Sequence, residues 1–376
     1  MPGDKPIKNT SLFSCPGLEQ IVQPLLNWFA ENARDLPWRK TADPYSIWIS
    51  EIMLQQTRVD TVIPYFERFI RAIPDIRTLA EIPEEQLLKY WEGLGYYSRA
   101  RNLQKAARMI LQDFHGIFPS TAADIAKLPG IGAYSAGSIA SIAFGLPEPA
   151  VDGNVLRVLT RLAECKTNIA VPRLKFQVAD ALRQIYPAGQ SSEFTQVLME
   201  LGAMVCIPNG QPQCLICPLN FYCRACLHGS TGEYPVKELA KTRKLEKMTV
   251  FHLIYRNEKG QEQIALCKRP PKGLLAGLWQ FPWQSGHLNE QEIRQYLDQL
   301  KITAGSIIQQ KSEKHIFTHI EWQMQVWQID CITPPVPEFT WVDARQLAGE
   351  YALPVAFRKT WSGSRHILPS PPQTVS

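Results

Sequence analysis

From about residue 17 to about 205, apolar positions recur at helical spacing. Ile21, Leu25, Leu26 and Phe29 form one such face, and Leu103, Ala106, Ala107 and Ile110 another. Loops carrying Pro or Gly, such as "LPEPAVDGN" and "YPAGQSS", separate these runs. After Lys247 the pattern changes. "MTVFHLIY", "EQIALCKR", "GLWQFPW", "WQMQVWQID" and "EFTWV" are short segments rich in β-branched and aromatic residues, and they read as strands. "NEQEIRQYLDQL" reads as one amphipathic helix among them. The pattern predicts an arm over 1–16, an all-α domain over 17–228 and a polar linker over 229–246. An α+β domain over 247–366 and a disordered tail over 367–376 complete the chain. No internal repeat is present.

The length of 376 residues suits two or three domains, and a hydrophobic content of 45% is ordinary for a globular chain. No run of about 18 apolar residues occurs, so no membrane-spanning helix is expected. Asp4, Lys5 and Lys8 interrupt the first residues, which excludes a standard secretory leader. A net charge of +5 permits nucleic-acid binding without arguing for it. The nine cysteines, with no leader, point to reduced thiols or metal ligands.

Four of those cysteines change the picture. "CIPNGQPQCLICPLNFYC" places Cys206, Cys214, Cys217 and Cys223 directly after a helical run. Clustered thiolates select zinc or an iron–sulfur cluster. A single compact run fits one cubane better than it fits the two separated knuckles of a zinc ribbon. Cys226 is an alternative fourth ligand. Cys15, Cys165, Cys267 and Cys331 are isolated and read as core fillers.

"LPGIGAYSAG", residues 128–137, is a glycine-punctuated turn between two helical runs. Gly130 and Gly132 allow the turn, and the amides there, with the start of the second helix, suit a phosphate; a plain helix–helix turn is the competing reading. "VDGNVLRVLTRL" follows, with Asp152 placed as the N-cap of another helix. In "YSIWISEIMLQQ", Glu51 stands on a largely apolar wall if the segment is helical. Desolvation there raises its pKa and suits a general acid. The alternative is a glutamate facing solvent at a helix edge.

In this order, the hairpin, the "VDGN" helix and the cysteine run resemble the helix-hairpin-helix DNA glycosylase superfamily with an iron–sulfur cluster. "LPWRK", "DPYSIWISEIMLQQTRVDTVIPYF", "GLGYYSRARNL" and "MELGAMVC" narrow the resemblance to the MutY family of adenine DNA glycosylases, over residues 20–226. The family's first cysteine gap is usually six residues, whereas here it is seven; Pro208, Gly210 and Pro212 lie in the loop that absorbs the extra one. The resemblance implies a [4Fe–4S] cofactor on Cys206, Cys214, Cys217 and Cys223. It makes Glu51 the proton donor and Asp152 the stabiliser of a sugar cation, with Tyr134 and Asn154 in support. Arg34 and Glu200 fall near the base pocket, although either suits a structural ion pair. Gln56 and Tyr96 match residues that fill the duplex when a base is extruded, the alternative for Tyr96 and Tyr97 being core aromatics. Superfamily members that also cut the strand carry a lysine where this chain has Tyr134, so base removal without that lyase route is implied.

"LLAGLWQFP", "HIFTHIEW" and "ALPVAFRK" resemble the C-terminal, Nudix-like domain of the same family. The carboxylates of "QSGHLNEQEIRQYLDQL" are wrongly spaced for the magnesium-binding box of a working Nudix enzyme, so this domain is expected to bind and not hydrolyse. The family uses it to read 8-oxoguanine, and Phe317, Thr318 and His319 match its recognition loop, with Thr in place of Ser. The fold class expected is therefore all-α glycosylase lobes followed by an α+β Nudix-like domain. The partner expected is duplex DNA with adenine opposite 8-oxoguanine or guanine, met by a monomer in a bacterial cytoplasm at the nucleoid. Three rivals stand beside this reading: an endonuclease III-like pyrimidine glycosylase with lyase activity, a non-catalytic DNA-scanning module, and a nucleotide pyrophosphatase.

Overall fold

The computed structural model describes residues 12–238 and 242–361; the expected tail over 367–376 and most of the expected arm over 1–16 lie outside them. The first part is helical: α1 Val22–Asn32, α2 Pro44–Leu54, α3 Val59–Ala72, α4 Ile76–Glu81, α5 Glu84–Tyr90, α6 Ser98–Asp113, α7 Ala122–Ile125, α8 Ala133–Phe144, α9 Gly153–Ala163, α10 Pro172–Arg183, α11 Ser191–Met204 and α12 Arg224–Leu227. The second part holds β1 Lys244–Arg256, β2 Glu262–Lys268, β3 Trp279–Gln280, β4 Trp283–Ser285, α13 Glu290–Gln299, β5 Ala304–Gln309, β6 Glu313–Ile316, β7 Ile320–Cys331, β8 Thr340–Val342, α14 Ala344–Gly349 and α15 Val355–Arg358. No helix among the described residues is long and apolar enough to cross a membrane.

Packing divides the chain into two compact units. Among the described residues, one takes in 12–56, 73–80 and 105–238, and the other 57–72, 81–104 and 242–361. In the first, α1, α9, α10 and α11 share a core that includes Leu25, Val155, Leu159, Val178, Phe194 and Leu198. The segment 229–238, which reads as polar linker, is tied to this unit at its start. Arg161 Nε donates to the carbonyls of Thr231 at 3.1 Å and Tyr234 at 3.0 Å.

α2 is the helix that matters for chemistry. Asp43 caps it by accepting from the Ser46 amide at 2.9 Å, and Pro44 presets its first turn. Every residue from Tyr45 to Met53 is buried, so the helix is apolar all round and not on one face. It packs on α8. Gly137 brings α8 close to the segment before Asp152, since a Cβ there would collide with the Pro149 carbonyl oxygen.

The second unit is built on a mixed sheet of order β3-β2-β1-β7-β5, with β1 and β7 parallel and Val250 opposite Val326. β1 is buried without alternation from Met248 to Ile254, as a strand covered on both faces must be. Ile293 and Leu297 of α13 cover one face, and Leu347, Ala356 and Phe357 of α14 and α15 cover the other.

Candidate active site

Glu51 is 6% exposed. Burial pushes its carboxyl up to about 7, and the nearby Asp152 charge adds to this; the hydroxyls of Ser138 and Tyr134 and the charge of Arg39 pull partly against it. Tyr134 Oη donates to Glu51 Oε2 at 3.3 Å and lies 3.6 Å from Met199 Sδ. Ser138 stands one helical turn after Tyr134 on α8, fully buried, with its hydroxyl beside the Glu51 carboxyl. A glutamate so placed is a proton reservoir near neutrality with two hydroxyls beside it.

Asp152 caps α9. Its Oδ1 accepts from the Val155 amide at 2.7 Å, and its Oδ2 accepts from Asn154 Nδ2 at 2.8 Å. Burial raises this carboxyl, and those two donors pull it back toward ionisation. The cap and the acidic site are therefore one arrangement: the bonds that start the helix also hold the anion. Asn154 Oδ1 accepts from Arg157 Nη2 at 2.8 Å, and Arg157 Nε donates to the Cys206 carbonyl at 2.7 Å. Gly202 on α11 makes room for this, since a Cβ there would sit 2.6 Å from that of Asn154.

Arg34 and Glu200 meet in a bidentate pair, with Nε–Oε1 and Nη2–Oε2 both at 2.8 Å. Arg39 joins them, Nη2 donating to Oε2 at 2.9 Å and Nε to Gln196 Oε1 at 2.9 Å. Burial pushes Glu200 up, but the two guanidiniums overcome it and hold the carboxyl down at about 2. Arg39 was not singled out from sequence, although "LPWRK" contains it. Ser138 was missed too, and its i+4 spacing from Tyr134 was the available signal.

The hairpin forms as expected between α7 and α8, with one difference. Gly130 takes φ +80, where a side chain is strained, but Gly132 sits at φ −96, ψ 177, an extended N-cap. Both glycines are exposed, and no side chain caps α8, so its first-turn amides stay open toward an anion.

Cys206, Cys214, Cys217, Cys223 and Cys226 line one cavity together with Arg161. Arg161 Nη1 donates to Cys206 Sγ at 3.2 Å. Burial first, and the neighbouring thiols after it, push Cys214 and Cys223 up to about 11 and Cys217 up to about 12. Such thiols ionise only against a strong cationic centre. The longer first gap is closed by a bond from the Gln213 amide to the Val205 carbonyl at 3.0 Å, with Gly210 at φ +76 inside it. Among the described residues, no three His, Cys, Asp or Glu side chains converge tightly enough to hold a single metal ion.

Gln56 is exposed at φ +59 just past α2. In the other unit, Tyr96 is 49% exposed at φ +45, whereas Tyr97 is 5% exposed and belongs to the core. Phe317, Thr318 and His319 form the turn between β6 and β7. Phe317 packs edge-on against Trp322, with centroids 4.8 Å apart, while Thr318 and His319 are exposed. On α13, Glu292 closes a capping box with Asn289 and Glu290 pairs with Arg294 at 2.7 Å, so these acids are engaged locally.

Residues 49–184 match the HhH-GPD superfamily of base excision DNA repair proteins, and residues 250–363 match the NUDIX domain. The adenine DNA glycosylase of Buchnera aphidicola subsp. Baizongia pistaciae is 40% identical over 266 residues, covering 70% of this chain and 73% of that protein. The adenine DNA glycosylase of Buchnera aphidicola subsp. Acyrthosiphon pisum is 36% identical over 298 residues, covering 79% and 83%. A thermostable thymine-DNA glycosylase of known structure superposes with a TM-score of 0.51 at 28% identity, covering 56% of this chain and 97% of its own. Helical lobes around a hairpin, with a desolvated acid near the carboxylate that caps α9, place the chain among the base excision DNA repair proteins of that superfamily. Within that class, this chain belongs to the adenine DNA glycosylase family.

Proposed function

We propose that the enzyme excises adenine paired with 8-oxoguanine, and also with guanine, leaving an abasic site in an uncut strand. The observation that carries the excision chemistry is the grouping of Glu51, Tyr134 and Asp152, all buried and close enough to shift one another's ionisation. Adenine leaves poorly as an anion, and a base still in the stack cannot reach an acid inside the protein. The nucleotide is therefore extruded, at a cost of a few kcal/mol that stacking by Tyr96 and filling by Gln56 partly offset. The Glu51 carboxyl gives its proton to adenine N7. The C1′–N9 bond then breaks, its electrons going to the now neutral base, and the sugar is left as an oxocarbenium ion. The Asp152 carboxylate stabilises that cation. Glu51, now ionised, takes a proton from the water that adds to C1′, and the acid is restored.

Asn154 keeps Asp152 oriented in this scheme, and Tyr134 holds Glu51. Tyr134 has no amine to form a Schiff base, which supports hydrolysis over the lyase route of an endonuclease III-like enzyme. Arg34 and Glu200 border the base pocket as a rigid polar wall. The open amides at Gly130 and Gly132 take a backbone phosphate. Phe317 props the turn from which Thr318 and His319 meet the base opposite adenine, and the engaged acids of α13 fit binding without phosphate hydrolysis. Cys206, Cys214, Cys217 and Cys223 would hold a [4Fe–4S] cluster, which supplies a rigid cross-link to the segment after α11. A monomer acting at the nucleoid suits these parts.

The test is single-turnover cleavage of duplexes with adenine opposite 8-oxoguanine, guanine or thymine, with alkali added afterwards. Adenine release is expected fastest opposite 8-oxoguanine, with strand breaks appearing only after alkali. Breaks before alkali, or a covalent adduct trapped by borohydride, would contradict the proposal. Iron and sulfide analysis of the purified protein checks the cluster.

A further inference from the structure

The turn that presents Tyr96 is fastened from beneath. Arg99 is 7% exposed, and its Nη2 donates to the carbonyls of Leu94 and Gly95, both at 3.1 Å, and to Thr57 Oγ1 at 3.3 Å. Its guanidinium lies 5.2 Å from the Trp91 ring and 5.7 Å from that of Tyr96.

Glu92 begins this turn, and its side chain is 6% exposed. Oε1 accepts from the Leu353 amide at 3.0 Å, and Oε2 meets Lys89 Nζ at 2.8 Å and Arg358 Nη2 at 3.5 Å. Its own carbonyl accepts from Tyr65 Oη at 2.9 Å. Lys89 Nζ reaches the carbonyls of Leu347 at 3.2 Å and Tyr351 at 3.0 Å. One buried carboxylate thus ties α5 and the "GLGYY" turn to the corner between α14 and α15.

That corner leads back to Tyr96 by a second route. Phe357 of α15 packs on Trp322 with centroids 5.8 Å apart, and Trp322 packs on Phe317. The next residue, Thr318, places its Oγ1 3.0 Å from Tyr96 Oη. Glu92, α15, Trp322, Phe317, Thr318 and Tyr96 close a ring of contacts, and a slip at one member displaces the others because packed interiors shift between discrete arrangements.

We propose that Glu92 is a positioning residue for base-pair discrimination: its contacts with Leu353, Lys89 and Arg358 set the register of the Phe317–His319 turn against Tyr96. Preference for 8-oxoguanine over guanine then depends on a carboxylate that touches neither base. The proposal rests on reading that turn as the recognition loop. Removing one partner of a buried charge set leaves the others uncompensated, so the corner relaxes.

The experiment compares excision of adenine opposite 8-oxoguanine and opposite guanine, at saturating enzyme in single turnover. The ratio of the two rates is independent of the fraction of enzyme that is folded. Glu92→Gln and, as a second variant, Arg358→Met are expected to narrow the ratio about tenfold, the scale at which residues off the ligand modulate coupling. Arg358→Lys, which keeps the charge, is expected to retain it. The control changes Phe317, Thr318 and His319 together to alanine. If the control narrows the ratio and neither Glu92→Gln nor Arg358→Met does, the proposal is overturned while the recognition reading stands. If the control leaves the ratio unchanged, the recognition reading fails first and the proposal with it.

Discussion

Glu51→Gln enzyme is expected to bind the adenine mispair normally and to excise the base about 10²–10⁴-fold more slowly, the range for a lost general acid. Gln has the shape of the protonated acid and keeps a donor and an acceptor for Tyr134 and Ser138, so the pocket survives. Band-shift titration beside single-turnover excision separates the two effects; parallel loss of binding would mean that the site had collapsed. The same variant should be more stable than the parent. Burial raises the Glu51 carboxyl to about 7, so folding opposes an ionisation that the unfolded chain completes at lower pH. That cost is absent below the ordinary carboxylate range, grows as the pH rises toward 7 and is constant above it. Thermal unfolding at alkaline pH should show the variant melting higher, and near pH 4 the difference should vanish. Activity and stability then move in opposite directions at one residue, as expected where function maintains an unfavourable burial.

Asp152→Asn separates the two roles of the other carboxyl. Asn keeps one oxygen for the Val155 amide, so α9 should start as before, while the bond from Asn154 Nδ2 is lost and the melting temperature should fall only modestly. The anion, however, is gone from beside the sugar. Losing one electrostatic stabiliser of a developing charge lowers the single-turnover rate about 10²–10³-fold. Excision at the parental rate would reduce Asp152 to its capping role. A large fall in melting temperature would show that the charge, and not the cap geometry, holds the Val155 turn.

Much of this was legible in the sequence because it depends on local rules. The "DPYS" start of α2 and the "VDGN" start of α9 are capping chemistry, and of the two readings of a glutamate amid "IWISEIML", apolar wall or solvent edge, the structure takes the buried one. The close spacing of the cysteine run suggested that its thiols gather, and they line one cavity. What was not legible depends on partners distant in sequence. Helical periodicity shows which face is apolar but not what covers it, so nothing in residues 57–72 or 81–104 said that they pack with the C-terminal sheet. Arg39 and Glu200 are 161 residues apart, and neither flank predicts the meeting. The engagement of Glu92 with Leu353 crosses 261 residues and was equally hidden. At the hairpin, the two glycines looked alike. Only Gly130 uses its conformational freedom, since the residue before α8 needs extended backbone and not a left-handed turn.

In the proposed reaction a desolvated carboxylic acid at position 51, protonated near neutrality, delivers the proton that releases adenine. The pH dependence of single-turnover excision at saturating enzyme tests it most directly. Above the Glu51 value of about 7, the rate should fall about tenfold per pH unit as the donor ionises, and on the acid side it should drop where Asp152 takes up a proton. A rate that stays flat well into the alkaline range, with the enzyme folded and DNA bound throughout, would contradict the account.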